Sequence, residues 1–178
     1  MGQAVLIHGE SGIGKSRLVQ RLTEQIAGEP HTRFECRCSP YHQHSAWYPV
    51  TDLLTRVLTL DRGDTPENKL RKLEQCLGQT GLNVAETVPL LAALLLLPVP
   101  AERYPALPLS PQQQRHKTLA ALLALFMAYA AQQPLLLIVE DAQWIDPSTL
   151  ELLSLLIDQG PTARLLLCVV CRPEFRSP

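Results

Sequence analysis

The chain has 178 residues, 46% of them hydrophobic, with 15 prolines and 9 glycines. That length and composition allow a substantial buried core, which excludes the disordered, collagen-like and disulfide-scaffold classes of protein. The 16 basic and 17 acidic residues give a net charge of −1, which provides no general attraction for nucleic acid or an anionic membrane. We therefore expect a globular domain that binds neither of them directly.

The longest apolar stretches, residues 88–99 and 119–131, are shorter than the roughly 18 residues that indicate a membrane-spanning helix. The first residues lack the basic segment followed by an apolar one that a secretion signal requires. The five cysteines are an odd number, which favours reduced thiols over a disulfide framework. These observations predict a cytoplasmic protein.

The start of the sequence predicts a strand, a turn and a helix. Residues 3–8 form a short apolar run that predicts a buried strand, and a glycine-rich turn follows it. Apolar residues at helical spacing predict a helix over residues 15–27, with Leu18, Leu22 and Ile26 on its buried face.

The middle of the sequence predicts mostly helices. A second strand is predicted over residues 32–38, followed by a polar and aromatic loop and by a helix whose buried face includes Leu53. Residues 61–108 predict further helices, one starting at Thr65 and another over 85–97. We expect this segment to be a helical insertion between the second and third strands.

The second half of the sequence returns to alternating strands and helices. A proline-rich connector over residues 104–111 leads into a long buried helix over 111–131. The aliphatic runs 135–139 and 164–170 predict two more strands, and Asp146 caps a helix between them. The apolar side of that helix consists of Leu150, Leu153 and Ile157. The βαβα order predicts an α/β fold with a parallel sheet and right-handed crossovers.

Residues 9–16, Gly-Glu-Ser-Gly-Ile-Gly-Lys-Ser, have the spacing of a phosphate-binding loop and lie between a predicted strand and a predicted helix. Gly12 and Gly14 allow backbone amides to approach a polyphosphate, and the helix N-terminus adds positive potential. Lys15 would contact the β- and γ-phosphates, and the hydroxyl of Ser16 would bind magnesium. The alternative interpretation is a glycine-rich turn with an incidental lysine.

Glu140 and Asp141 stand at the predicted carboxyl end of a parallel strand, where ligands bind in such sheets. One carboxylate can hold hydrated magnesium while the other orients or deprotonates an attacking water. An acidic loop that only caps backbone donors is the alternative interpretation. For Asp146, helix capping is a sufficient explanation.

Residues 9–16, 135–151 and 171–174 together resemble the STAND branch of the AAA-type ATPases. Residues 37–41 and 47–49 resemble, more narrowly, the ATPase modules of bacterial adenylate or guanylate cyclases with tetratricopeptide repeats and of large LuxR-type regulators. Such modules are also described as origin-recognition-complex-like AAA ATPase domains. The resemblance implies a P-loop NTPase fold, which is a three-layer αβα sandwich with a parallel sheet.

The resemblance also implies ATP and magnesium as ligands. It assigns Ser16 and Glu140 to magnesium, Asp141 to the catalytic-base position and Arg172 to a sensor of the γ-phosphate, with Lys15 at the phosphates. The order Glu-Asp departs from the commoner Asp-Glu order of AAA proteins. The implied nucleotide-binding residues are Gly9, Glu10, Ser11, Gly12, Ile13, Gly14, Lys15, Ser16 and Arg17.

A larger protein is a further implication of the resemblance. In the family a fifth strand lies beside the first and a helical lid follows, and neither has room after residue 178. We therefore expect residues 1–178 to be one ATPase core from a multidomain signalling or transcription regulator. The implied partners are attached cyclase or DNA-binding domains and tetratricopeptide repeats, together with nucleotide-dependent self-association.

Other cysteine and histidine residues suggest less specific sites. Cys36, Cys38, His42 and His44 lie close together in the sequence and form a candidate zinc cluster. Their spacing matches no zinc template, so we interpret them as core thiols and polar loop histidines. Cys168 and Cys171 resemble a redox pair, but their odd offset on a strand places them on opposite faces. His8 is interpreted as structural.

The sequence supports three functional hypotheses. The first is an ATP-binding, ATP-hydrolysing switch that reports its nucleotide state to attached signalling domains. The second is a nucleotide-gated scaffold with negligible hydrolysis, consistent with the Glu-Asp order. The third and least favoured is a phosphotransferase that passes the γ-phosphoryl group to a small acceptor. GTP is disfavoured because no Asn-Lys-x-Asp segment is present.

Overall fold

The computed structural model describes residues 2–105 and 108–175, and the chain divides into two compact units. The first unit combines the residues up to 50 with those from 129 onwards. The second unit consists of residues 51–128. The phosphate-loop sequence and the predicted acidic pair both belong to the first unit.

The first unit contains, among the described residues, a four-stranded sheet in which each neighbouring pair of strands is parallel. The strands are β1 (Gln3–His8), β2 (Thr32–Arg37), β3 (Leu135–Glu140) and β4 (Leu165–Cys171), in the spatial order β1-β4-β3-β2. The predicted parallel α/β sheet is therefore confirmed. The carboxyl ends of all four strands lie at the same end of the sheet, which is where parallel sheets bind ligands in their loops.

The burial of the strands follows their order in the sheet. β3 and β4 are central and almost entirely buried, as their continuous aliphatic sequences predict. β1 was predicted to be buried and is mostly exposed at Val5 and Leu6. This prediction was wrong because β1 pairs only with β4 within the described sheet. An apolar run by itself does not distinguish an edge strand from a central one.

Helices cover both faces of the sheet. The described α-helices are α1 (Lys15–Gln25), α2 (Tyr48–Val57), α3 (Pro66–Thr80), α4 (Val84–Leu94), α5 (Pro111–Gln132) and α6 (Pro147–Gln159). On one face, Val19 of α1 packs against Leu136 and Ile138 of β3. On the other, the ring of Tyr129 meets the ring of Phe34 edge-on, with 4.9 Å between centroids. The layers form the three-layer αβα sandwich that the resemblance implies.

Right-handed connections explain this arrangement. The crossover from β1 to β2 and the crossover from β3 to β4 run in opposite directions across the sheet. Two right-handed crossovers that run in opposite directions place their helices on opposite faces. Therefore α1 and α6 cover different faces, and the loops that precede them diverge at the carboxyl edge.

Capping residues begin the helices of the second unit. Thr65 accepts a hydrogen bond from the amide N–H of Asn68, and Pro66 is the first residue of α3. Asn83 caps α4 in the same way. Pro89 lies inside α4. The buried residues of α3 are Leu70, Leu73 and Leu77.

In each of α1 and α6, one residue of the predicted buried face is exposed, whereas Leu22 of α1 and Ile26 just after it pack against the core and Leu153 of α6 is buried. Leu18 was predicted to face the core of α1 but is 59% exposed, whereas Val19 is 3% exposed. Ile157 was predicted on the apolar side of α6 but is exposed, whereas Leu156 is fully buried. In both helices two consecutive residues are apolar, and only one of them can face the core. Which one does so depends on where the sheet lies relative to the helix.

The connector predicted over residues 104–111 includes Ala106 and Leu107, which lie outside the described residues. Residues 108–110, on its far side, have no regular secondary structure. Within the described ranges, none of the helices combines the length and the apolar character needed to cross a bilayer.

Candidate functional site

The loop between β1 and α1 has a backbone that requires glycine at two positions. Gly12 has a φ of 80° and Gly14 a φ of 102°, and side-chain-bearing residues rarely adopt such values. Gly14 is the N-cap of α1, and no side chain caps this helix end. The amide N–H of Gly9 donates to the carbonyl of Cys171 at 3.4 Å, which ties the loop to the end of β4.

Lys15 places its positive charge directly over this loop. Its Nζ donates hydrogen bonds to the carbonyl oxygens of Gly9 at 2.7 Å and Glu10 at 2.8 Å. An ammonium group has three N–H donors, so these bonds hold the side chain without using its full capacity. The positive charge of Lys15 therefore lies next to the position that an anion bound by the loop would occupy.

Glu140 and Asp141, the predicted acids, lie at the same end of the sheet as the loop between β1 and α1. Glu140 is the last residue of β3, and its carboxylate accepts a hydrogen bond from the hydroxyl of Ser16. Asp141 follows with a left-handed φ of 54°. A cavity of about 250 Å³ is lined by Ser11, Gly12, Gly14, Lys15, Ser16, Arg17, Glu140, Asp141, Val170 and Arg172.

Three residues assigned to nucleotide binding lie outside this lining. The carbonyl oxygens of Gly9 and Glu10 hold Lys15 instead. Ile13 points away from the core and is largely exposed. The remaining predicted site residues, from both parts of the sequence, share one cavity.

Glu140 has a pKa above its ordinary value of 4.5. Burial is the largest cause, and the negative charges of Glu35 and Asp141 add to it. The positive charge of Arg37 and the hydrogen bond from Ser16 act in the opposite direction. Negative charges that gather around one carboxylate favour a bound cation.

A ladder of charged side chains on β2 borders Glu140. The carboxylate of Glu35 lies 2.7 Å from guanidinium nitrogens of both Arg33 and Arg37. The strand register places Arg37 beside Glu140 and Glu35 beside Ile138, on the face that α1 covers. Sequence analysis missed this ladder, although charged residues at alternate positions of a predicted strand are a usable signal.

Gln143 connects the two sides of the cavity. Its Nε2 donates to Oδ1 of Asp141 at 3.1 Å, and its Oε1 accepts the amide N–H of Arg172 at 3.1 Å. This connection was not predictable from the sequence, because 29 residues separate Gln143 from Arg172.

Asp146 does more than cap α6. It is 1% exposed, and its Oδ1 accepts the amide N–H groups of Ser148, Thr149 and Trp47, each at 3.0 Å. Trp47 is 99 residues away in sequence, so Asp146 ties the loop after β2 to the helix after β3. Burial and the charges of Asp146 and Asp141 raise the pKa of the Cys38 thiol to about 12.

The cysteines of the predicted zinc cluster and redox pair are buried, and His42 makes a ring contact. Cys36 and Cys38 are buried, and no group of three potential metal ligands occurs among residues 2–105 and 108–175. Cys168 packs in the core beneath α1, and the register places Cys171 on the opposite face. The ring of His42 stacks on Tyr48 with 3.6 Å between centroids.

The site fits a polyphosphate and a magnesium ion. Gly12 and Gly14 give the loop its concave backbone, and Lys15 supplies a cation beside the uncapped N-terminus of α1. Ser16 and Glu140 are oxygen ligands already in contact with each other. Magnesium is commonly held by one or two such protein oxygens together with water and phosphate oxygens.

Comparison with known proteins identifies the family. A family model described as AAA ATPase domain matches residues 1–170. The chain belongs to the AAA ATPase domain family. As an AAA ATPase domain, it is a nucleotide-binding module of the P-loop class.

Individual relatives of this AAA ATPase domain are distant. An uncharacterized protein of Rhizobium meliloti (strain 1021) is 26% identical over 182 residues, which cover 99% of this chain and 17% of that protein. The chain thus spans less than a fifth of the length of this relative. Among solved structures, cbiO1 from Clostridium perfringens, part of the ABC transporter complex cbiONQ, is 18% identical, with a TM-score of 0.40. That alignment covers 96% of this chain and 67% of the other.

Proposed function

We propose that this AAA ATPase domain binds ATP with magnesium and hydrolyses it as a nucleotide switch. The observation that carries the proposal is the single cavity shared by Lys15, Ser16, Glu140 and Asp141. Two of these residues follow β1 and two belong to the end of β3 or follow it, so the fold brings together the groups that phosphoryl transfer needs.

Each residue has a distinct part in the proposed reaction. Loop amides and Lys15 bind the phosphate oxygens and oppose the negative charge that develops on them. Ser16 and Glu140 would hold the magnesium ion, which neutralises charge on the phosphates. Asp141 orients the attacking water and accepts its proton. The guanidinium of Arg172, which follows β4 and lines the cavity, contacts the γ-phosphate.

A nucleotide-gated scaffold with negligible hydrolysis is the second candidate. The Glu-Asp order favours it, because aspartate at the catalytic-base position has a shorter side chain than glutamate. This candidate shares the binding site and differs only in turnover.

The biological setting is part of the proposal. A chain that spans 17% of its Rhizobium meliloti relative is expected to work inside a much longer protein. We propose that cyclase, DNA-binding or tetratricopeptide-repeat domains attached to it respond to its nucleotide state, in a signalling or transcription regulator.

The binding site is tested with Lys15→Ala, with Lys117→Ala as the control because Lys117 is an exposed lysine of α5 outside the site. Loss of charge-assisted hydrogen bonds of about 1.5–3 kcal/mol should weaken ATP binding by about 10-fold to 100-fold. Isothermal titration calorimetry with magnesium present measures this effect. Unchanged affinity in Lys15→Ala would show that ATP binds elsewhere or not at all.

Phosphate release then separates the two candidates. An ATPase releases phosphate from ATP without any acceptor, and Asp141→Asn should reduce the rate by at least about 100-fold while ATP still binds. A scaffold would bind ATP with the same dependence on Lys15 and release no phosphate.

A further inference from the structure

The side chain of Gln143 is held at both ends. Its Nε2 donates to the carboxylate of Asp141 and its Oε1 accepts the backbone N–H of Arg172, both at 3.1 Å. These partners fix the orientation of the amide. A backbone N–H can only donate, so it faces the oxygen, and a carboxylate accepts, so it faces the nitrogen.

The backbone around Gln143 is fixed as well. Asp141 adopts a left-handed conformation, and a short 3₁₀ turn, Ala142–Trp144, follows it directly. The amide N–H of Trp144 donates to the carbonyl of Asp141 at 2.9 Å and closes this turn. Gln143 occupies the middle of the turn and is partly buried, so its side chain reaches Arg172 from a rigid base.

The far end of this connection joins the phosphate loop. Arg172 is the first residue after β4, and the preceding Cys171 accepts a hydrogen bond from the amide of Gly9. A continuous set of contacts therefore runs from the phosphate loop through the end of β4 to the carboxylate of Asp141. The amide of Gln143 is the link between Asp141 and Arg172, which both line the cavity.

We propose that Gln143 is a positioning residue that couples the end of β4 at Arg172 to the orientation of the Asp141 carboxylate. This inference rests on the proposed function, in which Arg172 contacts the γ-phosphate and Asp141 orients the attacking water. When Arg172 engages the γ-phosphate, its backbone is held in place. Through Gln143, the carboxylate of Asp141 is then held in the direction of the water. Gln143 itself touches neither the phosphate nor the water.

Two variants separate the two hydrogen bonds. Gln143→Met keeps the length of the side chain and removes both bonds. Gln143→Glu keeps an oxygen that accepts the amide of Arg172 but replaces the donor to Asp141 with a second carboxylate. Gln159→Met is the matched control, because Gln159 is an exposed glutamine at the last position of α6, away from the cavity.

The kinetic readout is the division between kcat and ATP affinity. We expect Gln143→Met and Gln143→Glu to lower kcat by at least about 10-fold, because the water-orienting carboxylate loses its direction. ATP affinity should stay within about twofold of wild type, because no phosphate contact is removed. Gln159→Met should match wild type in both. Wild-type kcat in Gln143→Met, or an affinity that falls together with kcat, would overturn the coupling.

Amide hydrogen exchange provides a readout that does not depend on turnover. In the absence of nucleotide, the Arg172 amide should exchange at least about 10-fold faster in Gln143→Met than in wild type. Gln143→Glu should keep its protection. Unchanged protection in Gln143→Met would overturn the inference whether or not the protein hydrolyses ATP. Absence of ATP binding and turnover in the wild type would instead overturn the proposed function. The exchange result would still show whether the side chain of Gln143 protects the amide of Arg172.

Discussion

The pKa of Glu140 depends on its burial and on a few neighbouring charges. Its pKa lies above 4.5 because of burial first, and then because of Glu35 and Asp141. As the pH falls, Glu140 therefore takes up its proton earlier than an ordinary glutamate does, and it then binds magnesium poorly. We expect magnesium-dependent ATP binding to be lost on acidification, with a midpoint at higher pH than an ordinary glutamate ligand would give.

Glu35→Gln tests the electrostatic cause. It removes one negative charge near Glu140 and releases Arg37 from its ion pair, and both changes lower the pKa of Glu140. The midpoint of magnesium-dependent ATP binding, measured by titration at a series of pH values, should move to lower pH. The control is Glu67→Gln on the exposed first turn of α3. A midpoint that stays or rises would contradict the role given to Glu35.

Asp146 is expected to be the most stabilising carboxylate of the first unit. Asp146→Ala removes the cap of α6, worth about 1–2 kcal/mol, and leaves the buried amide of Trp47 without its partner, at about 1–3 kcal/mol. We expect the free energy of unfolding to fall by about 3 kcal/mol, measured by urea denaturation. Asp146→Asn keeps an acceptor oxygen and should cost about 1 kcal/mol. Asp158→Ala, exposed on the same helix, should change stability by less than about 0.5 kcal/mol.

Single residues can be predicted from the sequence only where local chemistry defines them. Lys15 and Ser16 could be proposed as site residues because their spacing belongs to a loop whose residues are contiguous, and both line one cavity. The second role of Asp146 was missed, because its partner Trp47 is 99 residues away and only the folded sheet brings them together. The contact of Gln143 with Arg172 was missed for the same reason.

At the scale of elements, the loop from β1 to α1 depends on left-handed glycines. An alanine Cβ at Gly14 would meet no atom within 4 Å, so a substitution there is opposed by the backbone and not by crowding. At a φ of 102°, Gly14→Ala should cost about 1–2 kcal/mol or force the loop to change shape.

Gly14→Ala should affect ATP binding more strongly than it affects the free energy of unfolding. We expect Gly14→Ala to weaken ATP binding by at least about 10-fold in calorimetry, because the amides no longer converge on the phosphates. Gly28→Ala is the control, since Gly28 has equal space around it and no positive φ. Equal ATP affinity in the two variants would show that the loop geometry is not needed for binding.

Element boundaries were largely predictable because each is marked by a residue with a local effect. Thr65 with Pro66 and Asp146 with Pro147 start helices where predicted, and the aliphatic run before Glu140 is a central strand. The exposed position of β1 and the exposure of Leu18 in α1 and Ile157 in α6 were not predictable. They depend on which strands and helices lie next to each other, and apolar periodicity does not contain that information.

At the scale of the whole molecule, the residues of the candidate site and the helical insertion belong to different parts of the chain. All residues of the cavity belong to the first unit, whose two segments are residues up to 50 and from 129 onwards. The predicted insertion, residues 61–108, lies within the second unit of residues 51–128. The first unit is therefore assembled from both ends of the sequence, and its sheet joins β1 and β2 to β3 and β4.

The five thiols report on the folding of both units in one experiment. Cys76 of the second unit is partly exposed, whereas the four cysteines of the first unit are buried: Cys36, Cys38, Cys168 and Cys171. With a pKa of about 12, only about one Cys38 thiol in ten thousand is ionised at pH 8. A disulfide-exchange reagent at pH 8 should therefore react quickly with one thiol of the native chain and with all five in denaturant. Cys76→Ser should remove the fast phase, and fast reaction of two or more native thiols would contradict the packing of the sheet.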